Sequence, residues 1–261
     1  MLYRARPADG IAWVAGASSG IGRGVALELA RRGYAVAASA RRADALRDLA
    51  AEASVLNGRI EPAPLDMTDR EAVARLAPTL ETRLGPIALV FLNAGVSRPD
   101  PPGDLGGENF RQTFEVNVLG LANGLNAALN AMRPRGRGQI AFNASIAGYG
   151  GLPAPAAYGA SKAAAIHLAE SLKFSAGRYG IAIQVVTHGF VRTPLTAENR
   201  FKMPFLMDCE TAARRICDGF EKAGFEITFP RRLSWAVKAM NLLPYPLYFA
   251  LAGQFAPKRS H

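Results

Sequence analysis

The chain has 261 residues, 49% of them hydrophobic, which is enough apolar material for a substantial core and argues against disorder. Its two cysteines, Cys209 and Cys217, exclude a disulfide framework and lack metal-ligand spacing, so a reducing compartment, the cytoplasm, is the expectation. The net charge is +10, but the basic residues are spread along the chain with no aromatic-interleaved motif, so nucleic acid is not expected as a partner. Gly16 and Gly20 interrupt the first apolar stretch, so we expect no cleaved leader.

Short apolar runs bounded by turn residues predict buried parallel strands. These runs are residues 11–15, 34–40, 60–65, 87–92, 139–143 and 181–187. Between them lie segments with helical periodicity, such as 21–32 and 70–84. The alternation predicts an α/β fold, namely a single doubly wound Rossmann-type domain with a mostly parallel sheet flanked by helices on both faces. No linker divides residues 1–261, and we interpret the irregular stretch 99–107 as a loop over the carboxyl edge of the sheet.

A glycine-rich turn follows the first predicted strand and runs into a helical pattern. Glycines allow a tight turn and a close approach of the backbone to a pyrophosphate, whose charge is met by free amides at the helix N-terminus. The alternative is an ordinary glycine-rich strand–helix turn. The cofactor-binding candidates in this turn are Gly16, Ser18, Ser19, Gly20, Ile21 and Gly22.

The second predicted strand ends in Arg41 and Arg42, about twenty residues after the glycine turn. A site for NAD(H) usually places an acidic residue here for the ribose 2′-hydroxyl, and that acid is missing. A guanidinium group offers charge and a planar fork of donors to a 2′-phosphate, so the sequence favours NADP(H) over NAD(H), with Arg41 as the preferred contact. Alternatively, both arginines are solvated residues that open a helix.

Tyr158 and Lys162 are four residues apart, which puts a phenol and an ammonium on one face of a predicted helix. A phenol needs a pKa about three units below its usual value of about 10 to exchange protons efficiently near neutral pH. A neighbouring cation shifts the pKa in that direction. The pair alone is common, so its significance depends on the surrounding motifs.

Taken together, the glycine turn, Asn93-Ala94-Gly95, Asn117, Ser145 and the Tyr158/Lys162 pair resemble the short-chain dehydrogenase/reductase family over residues 11 to about 196. The resemblance implies that Ser145 hydrogen-bonds the substrate oxygen and that Tyr158 is the general acid or base. Lys162 would also hold the nicotinamide ribose, and Asn117 would anchor a water in a proton relay. Hydroxyl donors also suit a carbonyl oxygen that gains negative charge, whereas the hydride belongs to the cofactor.

The resemblance implies further cofactor contacts. Asn93, Ala94 and Gly95 would lie beside the adenine ribose, and Asp66 and Met67 would contact the adenine. Asp66 could equally be a helix N-cap. The segment after the sixth strand would contribute contacts from Gly189, Val191 and Thr193.

Three positions depart from the family pattern. Ala15 stands where a threonine often precedes the glycine turn, and Leu92 replaces the first asparagine of Asn-Asn-Ala-Gly. His188 replaces a proline near the nicotinamide. A role for His188 in substrate binding is open, but Tyr158 already supplies the acid/base group, so we interpret His188 as filling a loop position.

Residues 194–207 are expected to form a substrate lid. Its apolar side chains favour a bulky apolar alcohol or ketone over a sugar, and they are Leu195, Phe201, Met203, Phe205 and Leu206. The hydrophobic segment 233–255 is interrupted by Lys238, Pro244 and Pro246, so it falls short of the roughly twenty apolar residues of a spanning helix. It could pack at a subunit interface or core edge, line a substrate entrance, or contact a membrane peripherally, helped by basic flanks at 231–232 and 258–259.

The sequence therefore predicts an NADP(H)-dependent oxidoreductase that interconverts a carbonyl and a secondary alcohol on a small apolar molecule. We expect a cytoplasmic homo-oligomer, either a dimer or a tetramer. The alternative is a catalytically silent NADP(H)-binding sensor or scaffold, which has no reason to keep the full set of Asn117, Ser145, Tyr158 and Lys162.

Overall fold

All six predicted strands form in the computed structural model, which describes residues 3–98, 105–153, 155–197 and 203–255. The strands of the described residues are β1 (Ile11–Ala15), β2 (Ala35–Ser39), β3 (Arg59–Pro62), β4 (Ile87–Leu92), β5 (Gly138–Asn143), β6 (Ile181–His188) and β7 (Glu226–Phe229). They pair in parallel in the order β3-β2-β1-β4-β5-β6-β7. Every residue of β1, β4, β5 and β6 is buried, as expected for strands covered on both faces.

The α-helices of the described residues are α1 (Gly20–Arg31), α2 (Ala43–Glu52), α3 (Arg70–Leu84), α4 (Glu108–Phe114), α5 (Leu121–Met132), α6 (Ala156–Gly177), α7 (Cys209–Phe220), α8 (Arg231–Met240) and α9 (Tyr245–Ala252). A π-helical turn, Glu115–Gly120, joins α4 to α5. One apolar cluster packs α1, α2 and α7 against the sheet, and a second packs α3, α5 and α6 against the opposite face. The predicted doubly wound, Rossmann-type arrangement is confirmed.

The strand β7 was not predicted. It is a short strand at the sheet edge in which buried Ile227 and Phe229 alternate with the partly exposed Glu226 and Thr228, so it lacks the continuous apolar run of the central strands. The strand β3 ends at Pro62 rather than at residue 65.

The strand order reverses between β1 and β4, whose carboxyl ends carry the glycine turn and Asn93. In open parallel sheets such a reversal leaves a crevice outside the strand ends, where ligands bind. The fold therefore places the predicted site residues around one crevice.

The hydrophobic segment 233–255 forms α8 and α9 rather than one continuous helix, with Pro244 at the N-terminus of α9. In the part of the chain that the structure describes, no helix is both long and apolar enough to cross a membrane. The predicted lid begins with a turn at Pro194–Thr196, and its residues 198–202, including Phe201, lie outside the described residues.

Candidate functional site

A cavity of about 460 Å³ lies at the carboxyl edge of the sheet and extends from the glycine turn to Tyr158 and Lys162. All the predicted site residues line it except Gly22 and Asn117. The predicted residues that line it are Gly16, Ser18, Ser19, Gly20, Ile21, Arg41, Asp66, Met67, Asn93, Ala94, Gly95, Ser145, Tyr158, Lys162, Gly189, Val191 and Thr193.

The glycine turn is held close to the loop that follows β4. Gly16 has a φ of +82°, and a Cβ there would lie 2.6 Å from the main-chain nitrogen of Ala94. A Cβ on Gly22 would lie 2.1 Å from the oxygen of Gly16, which also accepts a 2.9 Å hydrogen bond from Nδ2 of Asn93. These contacts require glycine at both positions and fix the turn as an open cradle at the start of α1.

The two arginines after β2 have different surroundings. Both are exposed and line the cavity. The guanidinium of Arg42 donates a 3.1 Å hydrogen bond to the main-chain oxygen of Ser18, so Arg42 braces the glycine turn. Arg41, the preferred candidate for a 2′-phosphate, lies beside the same end of the cavity.

Ser145, Tyr158 and Lys162 are brought together by β5 and α6. Ser145 caps the turn after β5, where its Oγ accepts a 3.2 Å hydrogen bond from the amide of Ala147, and its hydroxyl also hydrogen-bonds the Tyr158 hydroxyl. Lys162 lies one turn along α6, as the spacing predicted, and its Nζ is 5.6 Å from the centre of the Tyr158 ring. Two hydroxyl groups and a cation therefore converge on one end of the cavity.

The pKa of Tyr158 differs from the sequence-based expectation. Burial raises the pKa of this phenol above its usual value, and the hydrogen bond from Ser145 offsets only part of that rise. Burial also lowers the pKa of Lys162 to about 8. The four-residue spacing alone suggested that Lys162 lowers the pKa of Tyr158, but withdrawal of the phenol from water raises it instead. The phenol is therefore protonated at neutral pH.

Asn117 lies on the π-helical turn and connects the loop after β4 to α6. Its Nδ2 donates 2.9 Å hydrogen bonds to the oxygen of Val96 and to Oγ of Ser161, and its Oδ1 accepts a 2.8 Å bond from the amide of Val96. Both amide hydrogens are thereby used. A water at this position would have to donate to Oδ1 or contact the main chain of Asn117.

His188 ends β6 and lines the cavity. Its Nδ1 donates a 2.8 Å hydrogen bond to the main-chain oxygen of Gly189, and its ring stacks against Phe229 with centroids 6.3 Å apart. Burial lowers the pKa of His188 to about 4, helped by the charge of Lys162. The ring is therefore neutral at physiological pH, and its Nε2 is left as an acceptor.

Asp66 does not cap α3. Its Oδ1 accepts hydrogen bonds from the amide and the hydroxyl of Thr68, at 2.9 and 2.8 Å, whereas the N-cap is Asp69, which accepts from Ala72. The N-cap alternative for Asp66 is therefore wrong. Met67, its neighbour, accepts a 3.0 Å bond from Asn123 through its main-chain oxygen.

One of the roles predicted for residues 233–255 was the lining of a substrate entrance, but the sequence did not show which of its residues face the cavity. Leu233 and Val237, one turn apart on α8, line it. The helix is fixed by Lys238, which pairs with Glu226 of β7, and Glu226 also accepts a hydrogen bond from the hydroxyl of Tyr149. The four-residue spacing of Leu233 and Val237 indicates that both lie on one face of a helix. No nearby sequence pattern shows that this face of α8 meets the cavity.

Comparison with known proteins agrees with this geometry. The sequence pattern of the family described as short chain dehydrogenase matches residues 10–203. A protein of Myxococcus xanthus (strain DK1622), described as an uncharacterized oxidoreductase, is 39% identical over 241 residues, which is 92% of this chain and 95% of the relative.

Two solved structures share the fold. A short chain dehydrogenase from Burkholderia cenocepacia J2315, in complex with NADP, is 25% identical with a TM-score of 0.80, and the match covers 95% of this chain and 99% of that one. A short chain dehydrogenase/reductase from Burkholderia phymatum, in complex with NAD, is 20% identical with a TM-score of 0.82, over 98% of this chain and 99% of that one. The chain described here belongs to the short-chain dehydrogenase/reductase family of oxidoreductases.

Proposed function

We propose that the protein is an NADP(H)-dependent oxidoreductase that interconverts a carbonyl group and a secondary alcohol on an apolar small molecule. The observation that carries the proposal is the hydrogen-bonded hydroxyl pair of Ser145 and Tyr158, with Lys162 beside it, at one end of a cavity that begins at the glycine turn. When bound, the cofactor would supply or accept the hydride.

The hydroxyl pair suits a substrate oxygen whose charge changes. A phenol is protonated at neutral pH, and burial raises the pKa of Tyr158 further, so Tyr158 is in the form that donates a proton to a carbonyl oxygen. Ser145 would orient that oxygen by a hydrogen bond. In the reverse direction Tyr158 must act as its anion, and the nearby ammonium of Lys162 would stabilise that charge.

The glycine cradle supports binding of the cofactor's pyrophosphate. Gly16 and Gly22 let the backbone of the turn pack closer than a Cβ would allow, and the Ser19 side chain makes no capping bond to α1, so the first amides of that helix can meet an anion. The preference for NADP(H) rests on Arg41 at this end of the cavity and on the absence of an acid at the end of β2. Lys162 would hold the nicotinamide ribose.

The apolar substrate class rests on the wall around Ser145 and Tyr158. Most of the side chains there are aliphatic or aromatic, and they include Ile146, Leu152, Phe190, Leu195, Leu233 and Val237. A sugar would leave its hydroxyl groups without partners against this wall, at a cost in free energy for each.

The test is Tyr158→Phe, assayed by NADPH absorbance with a panel of apolar ketones. The substitution removes only the hydroxyl, so NADPH binding should persist while turnover falls by a factor of about 10² to 10⁴. Tyr179→Phe is the matched control, because Tyr179 lies on the surface. Turnover retained by Tyr158→Phe would contradict the proposal. NADPH binding without turnover of any ketone or alcohol by the unmodified protein would favour the sensor alternative.

A further inference from the structure

The helices α8 and α9 and the turn between them expose large apolar side chains that are not in the core. We call this surface the C-terminal apolar patch, and it consists of Trp235, Leu242, Tyr245, Leu247 and Phe249, which are 56% to 86% exposed. In α9 only Tyr248 and Ala252 are buried. Exposed apolar surfaces of this kind on otherwise polar proteins commonly mark a binding site.

The patch lies in a part of the sequence whose charged residues are all basic. From Ile227 to His261 the sequence has no aspartate or glutamate, but it has five lysines and arginines, of which Lys238 pairs with Glu226 of β7. Arg231 and Arg232 are exposed at the start of α8, next to the patch. Lys258 and Arg259 follow it in the sequence, outside the described residues. The patch is therefore apolar with a basic margin.

We propose that the C-terminal apolar patch docks on the surface of a membrane that contains anionic lipid. Tryptophan and tyrosine suit the interface between headgroups and acyl chains, since each combines an apolar ring with a polar atom, and the arginines complement the anionic headgroups. A second copy of the chain fits less well. A two-fold contact would bring the basic residues of both copies together, and the segment offers no acid to pair with them.

The same helix connects this surface to the cavity. Leu233 and Val237 of α8 line the cavity, while Trp235 between them is 67% exposed. With the patch docked, only α8 would separate the lipid surface from the cavity. An apolar substrate could then pass from the bilayer to the cavity over a short distance. The docking itself does not depend on the proposed oxidoreductase activity, because lipid binding is measured without turnover.

The two tryptophans of the chain provide an internal probe. Trp13 is fully buried in β1, so a lipid-dependent change in tryptophan emission reports on Trp235. The full-length protein is titrated with phosphatidylcholine vesicles, with and without phosphatidylglycerol, in which part of the lipid carries brominated acyl chains. We expect quenching and co-sedimentation with the anionic vesicles only. Quenching by neither vesicle, or by both equally, would overturn the proposal.

Two pairs of variants separate the apolar and electrostatic contributions. Phe249→Asp should abolish co-sedimentation, whereas Phe174→Asp, on a residue 77% exposed on α6, should not. The double variant Arg231→Glu/Arg232→Glu should weaken binding to anionic vesicles at least about tenfold, and the exposed pair Arg70→Glu/Arg178→Glu should weaken it much less. Far-UV circular dichroism checks that each variant is folded. Equal losses in the test and control variants, or emission that depends on protein concentration but not on lipid, would contradict the assignment.

Discussion

The ammonium group of Lys162 donates a 2.7 Å hydrogen bond to the main-chain oxygen of Asn143, the last residue of β5. Lys162 is 5% exposed, so most of its hydration is lost, and no acidic partner replaces it in the described part of the cavity. The carbonyl dipole compensates only in part, and the pKa of Lys162 therefore falls to about 8. The folded protein therefore holds the charged ammonium of Lys162, which the proposed chemistry uses, at a cost in the free energy of unfolding.

That cost predicts a pH dependence of folding. Between pH 8 and 10.5 the unfolded chain keeps the proton on Lys162 that the folded protein has lost, so this group makes the stability rise with pH. Relative to Lys162→Met, the free energy of unfolding of the unmodified protein should rise by about 2–3 kcal/mol from pH 7 to pH 10. Urea unfolding at each pH measures it. Lys222→Met, at an exposed position, is the control, and a pH-independent difference for Lys162→Met would refute the prediction.

His188 predicts a pH dependence of the same sign, in a lower pH range. Its pKa is about 4 in the folded protein against 6.5 for an exposed ring, so the unfolded chain is protonated first as the pH falls. The stabilisation that depends on a neutral His188 is fully present above pH 6.5. As the pH falls to 4, the free energy of unfolding should fall by about 3 kcal/mol for this reason.

The measurement is the stability difference between the unmodified protein and His188→Gln across this range, which cancels the titration of the carboxyl groups. His167→Gln changes an exposed histidine of α6 and should follow the unmodified protein at every pH. A His188→Gln curve parallel to that of the unmodified protein would show that the folded-state pKa of His188 is not depressed.

The strands were predictable wherever burial on both faces requires a continuous run of apolar residues. The strands β1 and β4 are covered on both faces, and their apolar runs matched the observed bounds at 11–15 and 87–92. The edge strand β7 alternates between buried and partly exposed residues over four positions, which is too short a signal to separate from a loop. Most of the site residues beyond the glycine turn and Arg41 were predicted from the resemblance to the family, and they gather around one cavity because the carboxyl ends of parallel strands meet at one edge.

The electrostatics of the site were not predictable in the same way. The spacing of Tyr158 and Lys162 gives their distance along α6 but not their burial, and burial decides the sign of the pKa shift of Tyr158. The cavity wall from α8 depends on how Glu226 and Lys238 dock that helix on the sheet. Glu226 and Lys238 lie on different elements, twelve residues apart in the sequence, and no local sequence pattern shows that they pair.

Glu226 should act as a positioning residue for α8. It accepts hydrogen bonds from Tyr149, Thr187 and Lys238, and although burial opposes its ionisation, these donors, led by Lys238, lower its pKa. Glu226→Gln removes the ion pair, so we expect a loss of about 1–3 kcal/mol in the free energy of unfolding.

Because α8 carries Leu233 and Val237, Glu226→Gln should also raise the KM for an apolar substrate, with a smaller change in kcat and in the Kd of NADPH. Glu61→Gln breaks the surface ion pair with Arg83 and should change stability by less than about 1 kcal/mol. An unchanged KM together with the expected loss of stability would limit Glu226 to a structural role.

The arginines after β2 predict separable effects on cofactor binding. Arg41 would contact only the 2′-phosphate, so Arg41→Ala should weaken binding of NADPH by a factor of about 10 to 100 and leave NADH nearly unchanged. Arg42 holds Ser18 of the glycine turn, which either cofactor would use, so Arg42→Ala should weaken both to a similar degree. Titration of each variant with both cofactors, followed by the fluorescence of the reduced nicotinamide, distinguishes the two roles. If Arg42→Ala proves selective for NADPH and Arg41→Ala does not, the 2′-phosphate contact belongs to Arg42.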